Sequence, residues 1–167
     1  MPDSIARVWD IVEKVGVGML TTRFDGGLRA RPLEPRLDRV AGVIRFVTDI
    51  RGAKDDEVEA APDACFIVIE PKGKAYLSIS GHAIIIRDRD IAGRIWKRTD
   101  DAWWSGGPDD PNVRVLEFRP ATAELWDGPS SSVVAAIEFA KARITGEKPN
   151  LGENRKSTVV MGSSRRA

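Results

Sequence analysis

Residues Val17–Arg36 read VGMLTTRFDGGLRARPLEPR, and this stretch decides the fold class. Val17–Thr22 has the alternation of a strand. Phe24, Asp25, Gly26 and Gly27 form a turn in which glycine supplies the positive φ of a tight hairpin, and Leu28–Arg36 resumes as a second strand. An antiparallel hairpin therefore opens the sheet. Upstream, Asp3 and Ser4 are good N-caps, and Ile5, Val8, Trp9, Val12 and Val15 recur at helical spacing as far as Gly16. Downstream, Val43–Thr48 and Ala64–Glu70 read as strands, with a helix over Lys54–Ala61 between them that Pro62 stops. A long strand follows over Ala75–Arg87, where Leu77, Ile79, Gly81 and Ala83 alternate with Tyr76, Ser78, Ser80 and His82. Asp88–Arg98 predicts a helix, Ala102–Asn112 a loop, Val113–Arg119 and Ala121–Trp126 two strands, and Val133–Ile144 a last helix capped by Ser130–Ser132. Hairpin-joined strands with helices inserted irregularly predict a mainly β fold with flanking helices, a small and partly open barrel rather than a doubly wound parallel sheet.

Composition narrows the function. The chain of 167 residues suits one domain with its own core, at 42% hydrophobic residues. Its 26 Lys and Arg balance 25 Asp and Glu for a net charge of +1, so no global field draws in nucleic acid or anionic lipid. One cysteine, Cys65, and one histidine, His82, exclude a disulfide framework and a multi-histidine or multi-cysteine metal site. No stretch matches a membrane span, and charges interrupt the region from Met1 to Val17, so a cytoplasmic protein without nucleic-acid or membrane partners is expected. Five tryptophans stand against one tyrosine, and Trp96, Trp103, Trp104 and Trp126 all lie in the second half.

Side-chain catalysis is poorly provided for. A Ser–His–Asp or Cys–His arrangement would have to use His82, which lies on a strand, and Cys65 sits in an apolar strand that blunts a thiol. Asp55, Asp56 and Glu57 read as decoration of a helix N-terminus, and Asp109 and Asp110 as turn chemistry. The informative cluster is cationic. Arg29 and Arg31 lie on the second strand and Thr48 ends the third, after which Arg51, Gly52 and Lys54 lead into a helix, a pattern that suits a phosphate but also suits a solvated face.

Arg29–Leu33 and Ile44–Asp49, followed by Lys54, Val58 and Pro62, resemble the FMN-binding split barrel of the pyridoxamine 5'-phosphate oxidase superfamily. Tyr76–Gly81, the Gly106–Pro111 loop, Ala123–Gly128 and Thr145–Gly152 are similar to its general-stress-protein branch. The resemblance implies a six-to-seven-stranded antiparallel Greek-key split barrel over 1–128. A C-terminal helix and extension would occupy 129–152, and 153–167 would be a mobile basic tail. It further implies a homodimer with FMN in clefts at the interface. On that pattern Arg31 and Lys54 hold the FMN phosphate, and Arg31, Pro32 and Leu33 present backbone to the ring. Val47 and Thr48 form the next strand of the site, while Tyr76 and Trp126 approach from the partner subunit.

Two departures refine the expectation. The family often has Ser then Arg or Lys before the lysine that matches Lys54, whereas Gly52 and Ala53 stand here, leaving Arg51 or backbone N–H groups to substitute. After Trp126 the chain reads Asp127–Gly128–Pro129–Ser130 where true pyridoxamine phosphate oxidases place Arg and His residues, which argues against vitamin B6 oxidation. A flavin-dependent oxidoreductase is thus expected. Its rivals are a non-catalytic flavin-buffering stress protein and a barrel that takes FAD, haem or a deazaflavin instead.

Overall fold

The computed structural model describes residues 4–49, 51, 54–70, 72, 75–127, 141–144, 146 and 155–161. Helix α1 (Ser4–Val15) is followed by strands β1 (Gly18–Phe24), β2 (Gly27–Leu33), β3 (Arg36–Asp38) and β4 (Val43–Asp49). Helix α2 (Lys54–Ala60) precedes β5 (Asp63–Glu70) and β6 (Ala75–Ile86). Helix α3 (Arg89–Ile95) and two 3₁₀ turns, Arg98–Ala102 and Gly107–Asp109, then lead into β7 (Val113–Asp127), and β8 (Arg155–Val160) follows. No described helix is long and apolar enough to cross a membrane.

All strand pairs are antiparallel, in the order β2-β1-β5-β6-β7-β4-β3, with β8 on β7. The edges of this order, β2 and β3, are joined by Glu34 and Pro35 alone. Leu33 and Arg36 are three peptide units apart, at most about 11 Å, so the sheet must curl until its edges meet at that end. This gives a mainly β, split-barrel-like fold. The splitting occurs along β7: Val113–Phe118 pairs with β4, while Thr122–Asp127 pairs with β8 on the same side.

Three expectations change. Leu28–Arg36 is not one strand but two, because Pro35 cannot donate to a ladder and the chain changes sheet edge there. Val113–Arg119 and Ala121–Trp126 are not two strands but one, with a bulge that leaves Ala121 unpaired opposite Ser80 and Gly81. Proline is tolerated at such a bulge, so Pro120 does not end the strand. A Cβ on Gly81 would stand 2.2 Å from the Arg119 carbonyl oxygen, which explains a glycine here. Finally, residues 155–160 belong to a stretch expected to be a mobile tail, but they form β8, held by pairing and by burial of Val159 at 6% exposure. The helix expected over 133–144 is seen at 141–144, and its remainder lies outside the described residues.

The barrel interior collects Leu20, Ile44, Phe46, Phe66, Leu77, Ile79 and Phe118. Helix α1 closes one opening with Val8, Trp9, Ile11 and Val12, and α2 contributes Val58. Phe46 and Phe66 meet edge to face at 5.1 Å. A second apolar cluster lies outside the barrel, where Ala92 of α3 and Trp104 cover Val113 and Val115. This cluster fixes the tryptophan loop over the end of β4.

Candidate functional site

Alternation on β2 divides its residues between two environments. Arg29 and Arg31 pair with Thr22 and Leu20 and share their face, while Pro32 and Leu33 continue to the point where the sheet edges meet. There, a cavity of about 410 Å³ is lined by Val17, Pro32, Leu33, Val47, Thr48, Asp49, Trp103 and Trp104, with Glu34, Arg36 and Asp100 completing its lining. Pro32, Leu33, Val47 and Thr48, singled out from sequence, thus meet in one cavity of the size that small ligands use. Thr48 is 2% exposed, and its Oγ1 is buried without a hydrogen-bond partner among the described residues. A native hydroxyl in that state is costly unless something else satisfies it.

The walls of the cavity are braced by ion pairs that sequence reasoning missed. Arg36 Nη2 donates to both carboxylate oxygens of Asp100 at 2.9 and 3.0 Å, and its Nε donates to the Ile95 carbonyl. Asp100 in turn accepts from the Lys97 backbone N–H, which starts the 3₁₀ turn leading to Trp103 and Trp104. Both Arg36 and Asp100 are buried. Their separation by 64 residues left no local signal of the pair. The Trp104 indole donates to Asp49 Oδ2 at 3.1 Å and Trp104 packs on Trp96 at 5.9 Å, whereas Trp103 is 77% exposed at the rim.

Arg51 is drawn to Asp49: its backbone N–H and Nε both bond Oδ1, and Nη2 pairs with Oδ2. These side-chain bonds hold the Asp49 carboxyl down at about 2 against the opposing effect of burial, with the backbone bond and the Trp104 indole adding to them. Gly52 and the side chain of Lys54 lie outside the described residues. Lys54 opens α2, whose seven residues can carry only a small macrodipole, so local positive charge must come mainly from side chains.

On the adjoining face, Glu57 of α2 gathers the arginines. Arg31 Nη2 lies 2.5 Å from its Oε2 and Arg29 Nη1 2.8 Å from its Oε1; Thr22 Oγ1 donates to Oε2 and accepts from Arg31 Nη1 at 2.8 Å. Arg29 also stacks over Phe24, 4.3 Å from the ring centroid. Burial works against ionisation of Glu57, but the bonds from Arg31 and Thr22 and the two guanidinium charges outweigh it and hold the carboxyl below its usual range. Glu57 is therefore not surface decoration of a helix but a buried acceptor. Its neighbours came from β1 and β2, so helix composition alone could not reveal it.

Tyr76 and Trp126 face each other across β6 and β7, and neither lines the cavity. They lie on the outer face of the sheet, where Tyr76 is 52% and Ile69 53% exposed, and Lys156 sits 5.4 Å from the Trp126 ring. Cys65 and His82 occupy the same outer face, in contact with Ser78 and Asp63 respectively.

Comparison with known proteins places this architecture. The family model described as pyridoxamine 5'-phosphate oxidase like matches residues 3–150. The chain belongs to the pyridoxamine 5'-phosphate oxidase-like family. General stress protein 26 of Bacillus subtilis is 26% identical over 132 residues, covering 77% of this chain and 92% of the relative. Among solved structures, one from Jannaschia sp. CCS1 carrying the general stress protein 26 name is 33% identical with a TM-score of 0.73, covering 96% of this chain and 99% of that one. The general stress FMN/FAD binding protein of Xanthomonas citri is 25% identical with a TM-score of 0.65, covering 75% of this chain and 88% of that one. Within the pyridoxamine 5'-phosphate oxidase-like family, this chain is thus similar to the general stress proteins, one of them described as a flavin binder.

Proposed function

We propose that this chain is a homodimeric, FMN-binding general stress protein that works as a flavin-dependent oxidoreductase. The observation that carries the reading is the meeting of Pro32, Leu33, Val47 and Thr48 in one cavity, two residues along β2 from the Arg31 cluster. That spacing is about 7 Å of strand, which puts an apolar slot beside a cationic anchor. Arg31 and Arg29 fit a phosphate by charge and by their donors. The apolar part of the lining, Val17, Pro32, Leu33, Val47 and the two tryptophans, fits a planar ring, and Thr48 is among the polar groups beside it. Bound FMN would supply the hydride or electron transfer that these side chains lack. The residues that would hold it are Arg31 at the phosphate and Pro32, Leu33, Val47 and Thr48 at the ring. The exposed apolar face around Ile69 and Tyr76 would receive the second subunit, bringing Trp126 towards a site shared by both.

The test is a titration of flavin-free protein with FMN, riboflavin, FAD and haem, followed by flavin fluorescence. FMN should bind saturably and more tightly than riboflavin, and Arg31→Ala should weaken FMN by about tenfold or more while leaving riboflavin nearly unchanged. Equal losses for both ligands would remove the phosphate assignment, and no saturable FMN binding would remove the cofactor. Flavin buffering without turnover is the second reading. It is favoured by a cavity lining that, among the described residues, holds no His, Cys, Lys or Tyr. Anaerobic mixing with NADH and NADPH separates the two: bleaching followed by turnover with an acceptor supports an oxidoreductase, and an unreduced flavin supports buffering.

A further inference from the structure

The cluster of Arg29, Arg31 and Thr22 is unusual for an anion site in that it already holds an anion of the chain's own. Glu57 is 8% exposed at its side chain, and its two oxygens are spread over both guanidinium groups at 2.8 and 2.5 Å. Both terminal nitrogens of Arg31, the groups that suit a phosphate, are already engaged, Nη2 by the carboxylate and Nη1 by the Thr22 hydroxyl. Two arginines and one glutamate leave a single net positive charge, against a phosphate monoester carrying about −1.5 to −2 near neutral pH. Phosphate and carboxylate together in a partly buried site repel more strongly than they would in water.

Resting on the phosphate assignment made above, we propose that Glu57 is an internal competitor of the cofactor phosphate for Arg31. In the free protein it neutralises and orients the arginine pair, which avoids unpaired charge in a poorly solvated position. On cofactor binding Arg31 passes from the carboxylate to the phosphate. Arg29, 45% exposed and stacked on Phe24, retains Glu57. Each binding event therefore gives up one charge-assisted bond to gain another, so net affinity is low and the flavin is exchangeable. The presence of Gly52 and Ala53, which add no side-chain ligand, acts in the same direction.

Removing the carboxylate charge should tighten FMN binding, the opposite of what loss of a supporting residue does. Titration of flavin-free wild type, Glu57→Gln and Arg31→Ala with FMN and riboflavin reads this directly. Glu57→Gln should raise FMN affinity about tenfold, the worth of one charge-assisted hydrogen bond, and leave riboflavin unchanged. Inorganic phosphate meets the same arginine, so its own inhibition constant against FMN should fall by a similar factor in Glu57→Gln; a constant that does not fall overturns the competition. Glu57→Asp keeps the charge but is one methylene too short to span both arginines; it should give a smaller rise, and it serves if the Gln variant does not fold. FMN affinity that falls or stays level in Glu57→Gln, or in Glu57→Asp where that is the variant used, overturns the proposal and makes Glu57 a support for Arg31. Equal losses of FMN and riboflavin in Arg31→Ala overturn the phosphate assignment beneath it, an outcome visible without any change at Glu57.

Discussion

Asp49 shows how one residue ties the tryptophan loop to the entry of α2. It accepts from the Arg51 backbone and guanidinium and from the Trp104 indole, bonds made to the ionised carboxylate. Its pKa falls from an ordinary 3.8 to about 2 as a result. A group with a depressed folded-state pKa contributes stability that is fully present above the unfolded value and is lost as pH falls through the folded one. Asp49→Asn should therefore be destabilised relative to wild type at pH 7, with the gap closing between about pH 4 and pH 2. Urea unfolding of both proteins at several pH values measures this, and a gap independent of pH would show that the charge is not the cause. The Thr48 hydroxyl beside it is the converse, a buried group with no hydrogen-bond partner among the described residues. Neither role is visible in the string Val47–Thr48–Asp49, where alternation indicates only a strand end.

At the scale of elements, the long β7 is what allows one sheet to serve two purposes. Its first half builds the barrel with β4, and its second half carries β8 and the outer face. The change of register at Ser80 and Gly81 marks the handover, and there the backbone of Arg119 leaves no room for a side chain on Gly81. Gly81→Ala should cost on the order of 1–3 kcal/mol in unfolding free energy through overpacking, with the denaturant midpoint as readout. An unchanged midpoint would mean that the bulge can relax. The hairpin β1–β2, the helix α1 and the strand β6 were legible from local pattern because turn glycines and apolar spacing are local signals. The bulge and β8 were not. Pro120 resembles a strand breaker until a bulge is present, and the polar stretch Arg155–Thr158 has no reason to be a strand until β7 offers an unpaired edge.

At the scale of the whole molecule, the site is organised by closure of the sheet. Glu34 and Pro35 bring the two sheet edges together, and the cavity forms there, closed from above by a loop that the buried Arg36–Asp100 pair anchors. The outer face of the sheet keeps Met19, Ile67, Ile69 and Tyr76 exposed at 38–53%, and Met19 is the cross-strand neighbour of the cavity-lining Pro32. A run of large apolar side chains of this kind on a sheet face fits the subunit interface proposed above. Placing a charge in its centre with Ile69→Arg should shift the protein from dimer to monomer in light scattering while leaving its circular dichroism unchanged. FMN affinity should fall in parallel, since the site is proposed to be shared. An unaltered mass for a dimeric wild type would locate the interface elsewhere.

Local residue patterns determined the element types, the mainly β class and the cationic residues of β2, because strand alternation, helix spacing and turn glycines act over a few residues. Resemblance of spaced motifs added the family and nominated Pro32, Leu33, Val47 and Thr48. Only the tertiary structure decided that those four share a cavity, that Arg36 and Asp100 brace it, and that Arg31 is already engaged by Glu57. The physical reason is distance along the chain. Each of these contacts joins residues on different elements, as far as 64 positions apart for Arg36 and Asp100, and a charge acquires its partner and its desolvation only when the sheet closes around it.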